Sequence, residues 1–263
     1  MITTILTRVA LAWGVAAGLQ LVLWAVQQRT RNAGIVDVGW ALAFMPVVLV
    51  FGGLATTPWC VWGPIAALVL AWSVRLGGYL IARGAAHGPE EGRYAELRAR
   101  WAPHASRGFF VFFQAQAALV GILSTAFVMP FVVTPWDGGA VRGAGIALTS
   151  IGLLGEAIAD AQLARFKRTA AKGSVCDVGL WSWSRHPNYF FEWCVWLGYA
   201  VFGLAFAPWG LVALGGQALI LGTILKVTGI PATEAQALRS KGDAYREYQR
   251  RVSAFVPRPP TPP

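Results

Sequence analysis

Apolar residues in this chain come in runs longer than a soluble helix uses, separated by short polar or turn-forming stretches. The runs at 5–27, 35–56, 59–82, 109–133, 142–163, 188–207 and 209–228 each approach or exceed the roughly 20 residues that a helix needs to cross about 30 Å of hydrocarbon. They predict seven transmembrane helices. No small-residue cleavage site follows the first run and the next begins almost at once, so the first reads as helix one and not as a removed signal peptide. Pro58-Trp59, Pro135-Trp136 and Pro208-Trp209 couple a helix breaker to an amphipathic ring, and mark three turns at one membrane interface.

Composition strengthens this picture: 56% of the 263 residues are hydrophobic and 13% charged, about half the charge of a soluble domain. The basic residues add orientation. Of 22 Lys and Arg, 19 fall at Arg29 and Arg31, within 83–107, within 164–187 and beyond 225, alternating with nearly uncharged turns. Positive loops stay in the cytoplasm, which puts the C-terminus there and the N-terminus outside. The formal charge of +10 sits beside membrane helices, so it implies anionic lipid or an anionic cofactor and not nucleic acid. Cys60, Cys176 and Cys194 lack CxxC spacing, and His87, His104 and His186 are scattered, a pattern of neither a metal site nor a disulfide framework. With no repeat and no linker, 1–263 reads as one all-α integral membrane domain.

Two segments carry candidate chemistry. In Gly155-Glu156-Ala157-Ile158-Ala159-Asp160-Ala161-Gln162-Leu163-Ala164-Arg165-Phe166-Lys167, the residues Glu156, Asp160 and Lys167 fall on one helix face, and carboxylates at membrane depth are costly unless they line a polar cavity. One reading has the carboxylates accept protons from ribose hydroxyls or amides while Arg165, Lys167 and Arg168 neutralise phosphates. The other makes them interfacial ion pairs with snorkelling cations. The second segment, Gly179-Leu180-Trp181-Ser182-Trp183-Ser184-Arg185-His186-Pro187-Asn188-Tyr189-Phe190-Phe191-Glu192, leads into helix six, with Pro187 suited to a helix start and Asn188 and Glu192 one turn apart. It reads as a phosphate and ribose clamp around Arg185, or as an aromatic anchor of Trp181, Trp183 and Tyr189 at headgroup level.

With Val36-Asp37-Val38-Gly39-Trp40, Arg75-Leu76, Arg83, Arg93-Tyr94, Tyr245-Arg246-Glu247-Tyr248 and Phe255-Val256-Pro257 added to these segments, the chain resembles the steroid 5α-reductase superfamily, specifically its bacterial membrane branch. The resemblance implies a reductase in a bacterial inner membrane that binds NADPH in a cytoplasm-facing cavity and reduces the C=C bond of a 3-oxo-4-ene steroid or a similar enone lipid. Helices one to four would form the lipid-substrate side and 142–263 the cofactor side. By the family pattern, Asp160, Asn188 and Glu192 would hold the nicotinamide and ribose region and Arg165, Lys167, Arg185, Tyr248 and Arg251 would serve the phosphates and adenosine end, with Glu156, His186 and Tyr189 completing the cofactor-binding set. The animal enzymes have Asn where Glu156 stands and lack the full Arg-His-Pro run.

The acid at the enone ketone would come from Asp37 with Tyr79 or Tyr94. Asp37 equally suits a helix N-terminal carboxylate paired with Arg29 or Arg31. Tyr79, four residues from both Arg75 and Arg83, fits a polar stripe or an interfacial belt. Tyr245 and Tyr248 suit stacking on adenine or packing of the tail, and Glu234, after Gly229-Ile230-Pro231, suits the first turn of a tail helix or a ribose contact. Membrane methyltransferases that use S-adenosylmethionine share the Arg-His-Pro-x-Tyr run and form the rival class; a non-enzymatic lipid-binding protein is the third.

Overall fold

A computed structural model describes residues 1–90, 92–136, 139–171, 173–227 and 229–261. Among the described residues the chain is helical, without a named strand. Six stretches are long and apolar enough to cross a membrane: Ile2–Thr30, Ile35–Gly53, Trp59–Ala82, Ala105–Ala126, Ala140–Thr169 and Trp209–Lys241. The helix expected at 188–207 forms as Pro187–Leu204, but it is only 18 residues long. Asn188, Glu192 and several amphipathic rings lower its apolarity, so it is not among those six. Thr228, the expected end of the last run, lies outside the described residues.

The chain divides into two compact units. The first comprises Met1–Gly139 and Gly203–Ala213 and contains α1 (Ile2–Thr30), α2 (Ile35–Gly53), α3 (Trp59–Ala82), α4 (Gly92–Arg100) and α5 (Ala105–Leu123). Here α1 lies against α2 and α5, and α2 against α3. Its centre is aromatic: Phe44 and Trp72 are fully buried and meet edge to face at 5.2 Å, an arrangement that the ring quadrupole favours. Pro46 and Pro64 sit inside α2 and α3, as membrane helices tolerate. The span expected at 109–133 instead starts at Ala105 and breaks after Leu123 into two short 3-10 turns. The cause is local. Ser124 and Thr125 donate side-chain bonds to the carbonyls of Gly121 and Ile122, and Pro130 has no N–H to continue the ladder.

The basic stretch 83–107, expected as a loop, holds α4 and a polar cluster. Asn32 donates to the Gly88 carbonyl at 2.8 Å, the Ala33 amide donates to Glu90 Oε1 at 2.8 Å, and Arg98 grips Glu90 through Nε at 3.0 Å and Nη2 at 2.6 Å. Partial burial pushes the Glu90 carboxyl up, but hydrogen bonds from Arg98 and the Ala33 amide, with the guanidinium charge, outweigh it and leave the group below the ordinary carboxylate value. At the opposite kind of turn, Trp59 and Trp136 are each 65% exposed, as interfacial rings require.

The second unit comprises Ala140–Phe202 and Leu214–Pro263. It contains α6 (Ala140–Thr169), α7 (Pro187–Leu204), α8 (Ala213–Gly222) with a π-helical turn at Thr223–Val227, α9 (Ile230–Lys241) and α10 (Asp243–Arg251). One face of α6 is made of Gly145, Thr149, Gly152, Gly155, Glu156, Ala159 and Asp160, all buried. Small residues let α7 approach: a Cβ on Gly152 would stand 2.7 Å from the Val195 amide nitrogen, and one on Gly198 would stand 2.6 Å from the Thr149 nitrogen. Lipid tails are as apolar as side chains, so close backbone contact of this kind drives association in a bilayer.

Two outcomes follow from this packing. Gly198→Val forces α6 and α7 apart and costs about 1–3 kcal/mol by overpacking; Gly18→Ala in α1, where a Cβ meets nothing within 4 Å, leaves stability unchanged or slightly raised. Thermal unfolding in detergent reads both, and a G198V protein as stable as wild type would refute the seam. For Glu90, a folded-state pKa below the unfolded value means stability that is complete above about 4.3, the unperturbed value, and lost as pH falls through the folded one. The melting-temperature gap between wild type and Glu90→Gln should therefore be steady near neutrality and close on acidification; a gap that persists in strong acid would count against the cluster.

Candidate functional site

In the second unit, α6 brings Glu156 and Asp160 to its buried face, at 3% and 8% exposure. A carboxylate in such surroundings stays charged only against polar partners, so this face is a polar centre within an apolar helix. Lys167, expected on the same face, is exposed in the last turn together with Arg165 and Arg168. Arg165 lines a groove of about 300 Å³ with Gln162, Phe166, Thr169, Val178 and Gly179. The chain leading to α7 is tied over the end of this face. Gln162 Oε1 accepts from the Leu180 amide at 2.9 Å, and the Trp181 indole donates to the Ala159 carbonyl at 3.0 Å.

Pro187 is the first residue of α7, as its fixed φ and missing donor favour. Asn188 and Glu192 follow on one face, both half-buried. A Cβ on Gly155 of α6 would stand 2.2 Å from the Phe191 ring, so Glu156 and Glu192, the sequence neighbours of that contact, lie at the same level of the α6–α7 seam. Glu192 Oε1 accepts from the Trp196 indole at 2.7 Å. Trp196 sits four residues on, a partner that helical spacing made legible. Tyr189 turns elsewhere: its hydroxyl meets Thr233 Oγ1 at 3.0 Å and its ring stacks on His186 at 5.4 Å and 9°.

The residues just before α7 are occupied by the chain's own tail. Arg185 donates through Nε to Glu234 Oε1 at 2.7 Å and through Nη1 to the carbonyls of Gln249 at 3.0 Å and Val252 at 2.5 Å. His186, 3% exposed, places Nε2 3.3 Å from the same Glu234 oxygen, and Gln249 donates to Glu234 Oε2 at 2.9 Å. Glu234 lies past the first turn of α9, which begins at Ile230 with no acid in that turn, so the expected dipole contact gives way to this ion pair. Tyr248 is 3% exposed and donates to the Trp181 carbonyl at 2.5 Å; burial pushes its phenol up, which keeps the proton on the donor. Tyr245 packs beside it at 5.7 Å, and Val252 completes their cluster. Trp181 is buried, while Trp183 is 49% exposed, so only the latter has an anchor's position. Arg251 stands 3.8 Å from Asp177 and 3.7 Å from Glu247.

In the first unit, Asp37 lies in the first turn of α2 and pairs with Arg93, not with Arg29 or Arg31. Its Oδ1 accepts from the Tyr94 hydroxyl at 2.8 Å. The Arg93 guanidinium lies 4.6 Å from the centroid of the Tyr94 ring, a cation–π contact. Tyr94 is 1% exposed among Ala33, Val36, Phe109 and Phe113. The fold thus joins Asp37 and Tyr94 in one hydrogen-bonded pair. Tyr79 lies half-buried on α3 with Arg75, and Arg83 caps that helix. Neither Arg93 as the ion partner nor Glu90 and Gln249 as cluster members could be singled out from sequence, because each meets its partner only through the tertiary fold.

Over 87 residues, 30% of this chain and 23% of the relative, it is 32% identical to an uncharacterized protein of Schizosaccharomyces pombe, so the match spans about a quarter of that relative's length. No solved structure matches the chain. Residues 23–252 match the model of a family described as a protein of unknown function, DUF1295. With a match across most of its length and a membrane-type, all-helical fold, the chain belongs to the DUF1295 family.

Proposed function

We propose that this protein is an NADPH-dependent membrane reductase of the steroid 5α-reductase type, acting on the C=C bond of a 3-oxo-4-ene steroid or a similar enone lipid. The supporting observation is the pair of carboxylates, Glu156 and Asp160, buried on a membrane-length helix at the seam where Asn188 and Glu192 begin α7. This donor set suits a dinucleotide. Glu156, Asp160 and Glu192 accept from ribose hydroxyls and a carboxamide, Asn188 both donates and accepts, and the exposed Arg165, Lys167 and Arg168 match phosphates. Arg251 would serve the adenosine end. The cofactor supplies the hydride that adds to the β-carbon of the enone.

The chain's own task is the charge that develops on the ketone oxygen. In the proposed reaction the Tyr94 hydroxyl, which in the free protein gives its one proton to Asp37, turns that proton to the ketone oxygen when the substrate arrives, and Asp37, itself held by Arg93, keeps the phenol in place until then. Overall the substrate gains a hydride at the β-carbon and a proton from solvent at the α-carbon, giving the saturated ketone. The apolar helices of the first unit would admit the lipid. We place the protein in a bacterial inner membrane with the cofactor site facing the cytoplasm, because 19 of 22 basic residues lie in segments on one side of the predicted topology.

The test is binding of NADPH and of S-adenosylmethionine to detergent-purified protein, followed by NADPH absorbance after addition of a 4-ene-3-oxo steroid. NADPH is expected to bind and be oxidised. Asn188→Ala and Glu192→Gln should weaken NADPH binding by on the order of tenfold or more, while Asp37→Asn should bind NADPH normally and turn over slowly. Binding of S-adenosylmethionine alone would replace the reductase with a methyltransferase, and binding of neither by folded protein would favour a lipid-binding role.

A further inference from the structure

The Arg-His-Pro run is the most motif-like part of the sequence, and its chemistry suggests a phosphate contact. The geometry points elsewhere. Arg185 is 11% exposed, and its donors are directed at one carboxylate and two backbone carbonyls, all from the C-terminal segment. That segment crosses residues 183–185 as a strap, with an isolated bridge between Ser184 and Ser253. The Arg185 amide donates to the Ser253 carbonyl at 2.8 Å, Ser184 Oγ donates to the Phe255 carbonyl at 2.7 Å, and the Arg258 amide donates to the Trp183 carbonyl at 2.9 Å. Tyr248 and His186 fasten the same stretch from either side, through the Trp181 carbonyl and Glu234.

We propose that Arg185 is a positioning residue, which latches α9 and the C-terminal strap onto the start of α7 and so fixes the angle at which Asn188 and Glu192 are presented. Pro187 leaves α7 without a donor at its first residue, and Ser184 Oγ takes the His186 amide at 3.1 Å, so the helix start is held from outside the helix. A guanidinium fork can serve three acceptors in one plane; a Lys ammonium cannot reproduce that geometry. In this scheme Glu234, Gln249 and the strap carbonyls belong to the site's support, one layer behind the groups that touch ligand.

This inference rests on the reductase reading for the identity of the ligand, and its test separates the two. Arg185→Gln, Arg185→Lys, Glu234→Ala and the R185Q/E234A double variant are compared for NADPH and NADH binding and for tryptic cleavage between Arg251 and Val252, where the strap begins. Each single variant is expected to lose roughly tenfold in affinity for both nucleotides, the scale of a small misplacement of binding groups. The double variant should be no worse than either single one, as residues acting as one unit are non-additive. The preference between NADPH and NADH should not change, R185K should not rescue, and cleavage of the strap should accelerate in every variant. An Arg185 that contacts phosphate would instead show R185Q losing affinity with E234A unaffected, or R185Q losing the discrimination of the 2′-phosphate; either result overturns the proposal. If wild-type protein binds neither nucleotide, the reductase reading fails, but strap cleavage still decides: faster cleavage in R185Q and E234A supports the latch, and unchanged cleavage removes it.

Discussion

Hydrocarbon offers no hydrogen bonds, so every polar group these helices bury must be answered by protein. Much of the architecture obeys that one constraint. Ser73 donates to the Ala41 carbonyl at 2.6 Å, Thr149 to the Gly145 carbonyl at 2.9 Å, and Arg8 reaches the Leu54 carbonyl at the end of α2. Where a polar side chain serves only the fold, it is capped by the nearest carbonyl. Where carboxylates gather on one buried face, as Glu156 and Asp160 do, the same rule makes them expensive.

The two units meet the constraint by different means. Around α2 the answer is aromatic: rings fill the interior, and the polar residues collect at the level of Asp37, Glu90, Arg93 and Arg98. Along α6 and α7 the answer is small side chains, which bring two backbones close enough to leave no gap for lipid. The first solution fills the interior with rings that meet edge to face. The second leaves a narrow seam whose one polar end carries the carboxylates and the amide of Asn188.

Sequence legibility follows the range of the forces involved. Apolar run length and turn residues are local, and the third helix falls at 59–82 as expected. So is the Pro187 helix start. The fourth span shifted because Ser124 and Thr125 rebond their own turn, a side-chain competition that a hydrophobicity pattern does not register. Helix α4 is too polar to stand out against a loop. Partner choice was the least legible: Asp37 is 56 residues from Arg93, and Arg185 is 49 from Glu234. A basic residue beside a helix start looks the same in sequence whether it awaits a phosphate or a carboxylate from its own chain.

The latch also orders events during synthesis. Arg185 is made before Glu234, Gln249 and Val252, whose carboxylate and carbonyls it holds. Until the last two helices are translated, these contacts to the beginning of α7 cannot form. The latch at the polar end of the seam is thereby built from contacts of high sequence separation, the kind that forms slowly. A quality-control protease that reads the loose strap would be reading the completeness of the whole fold.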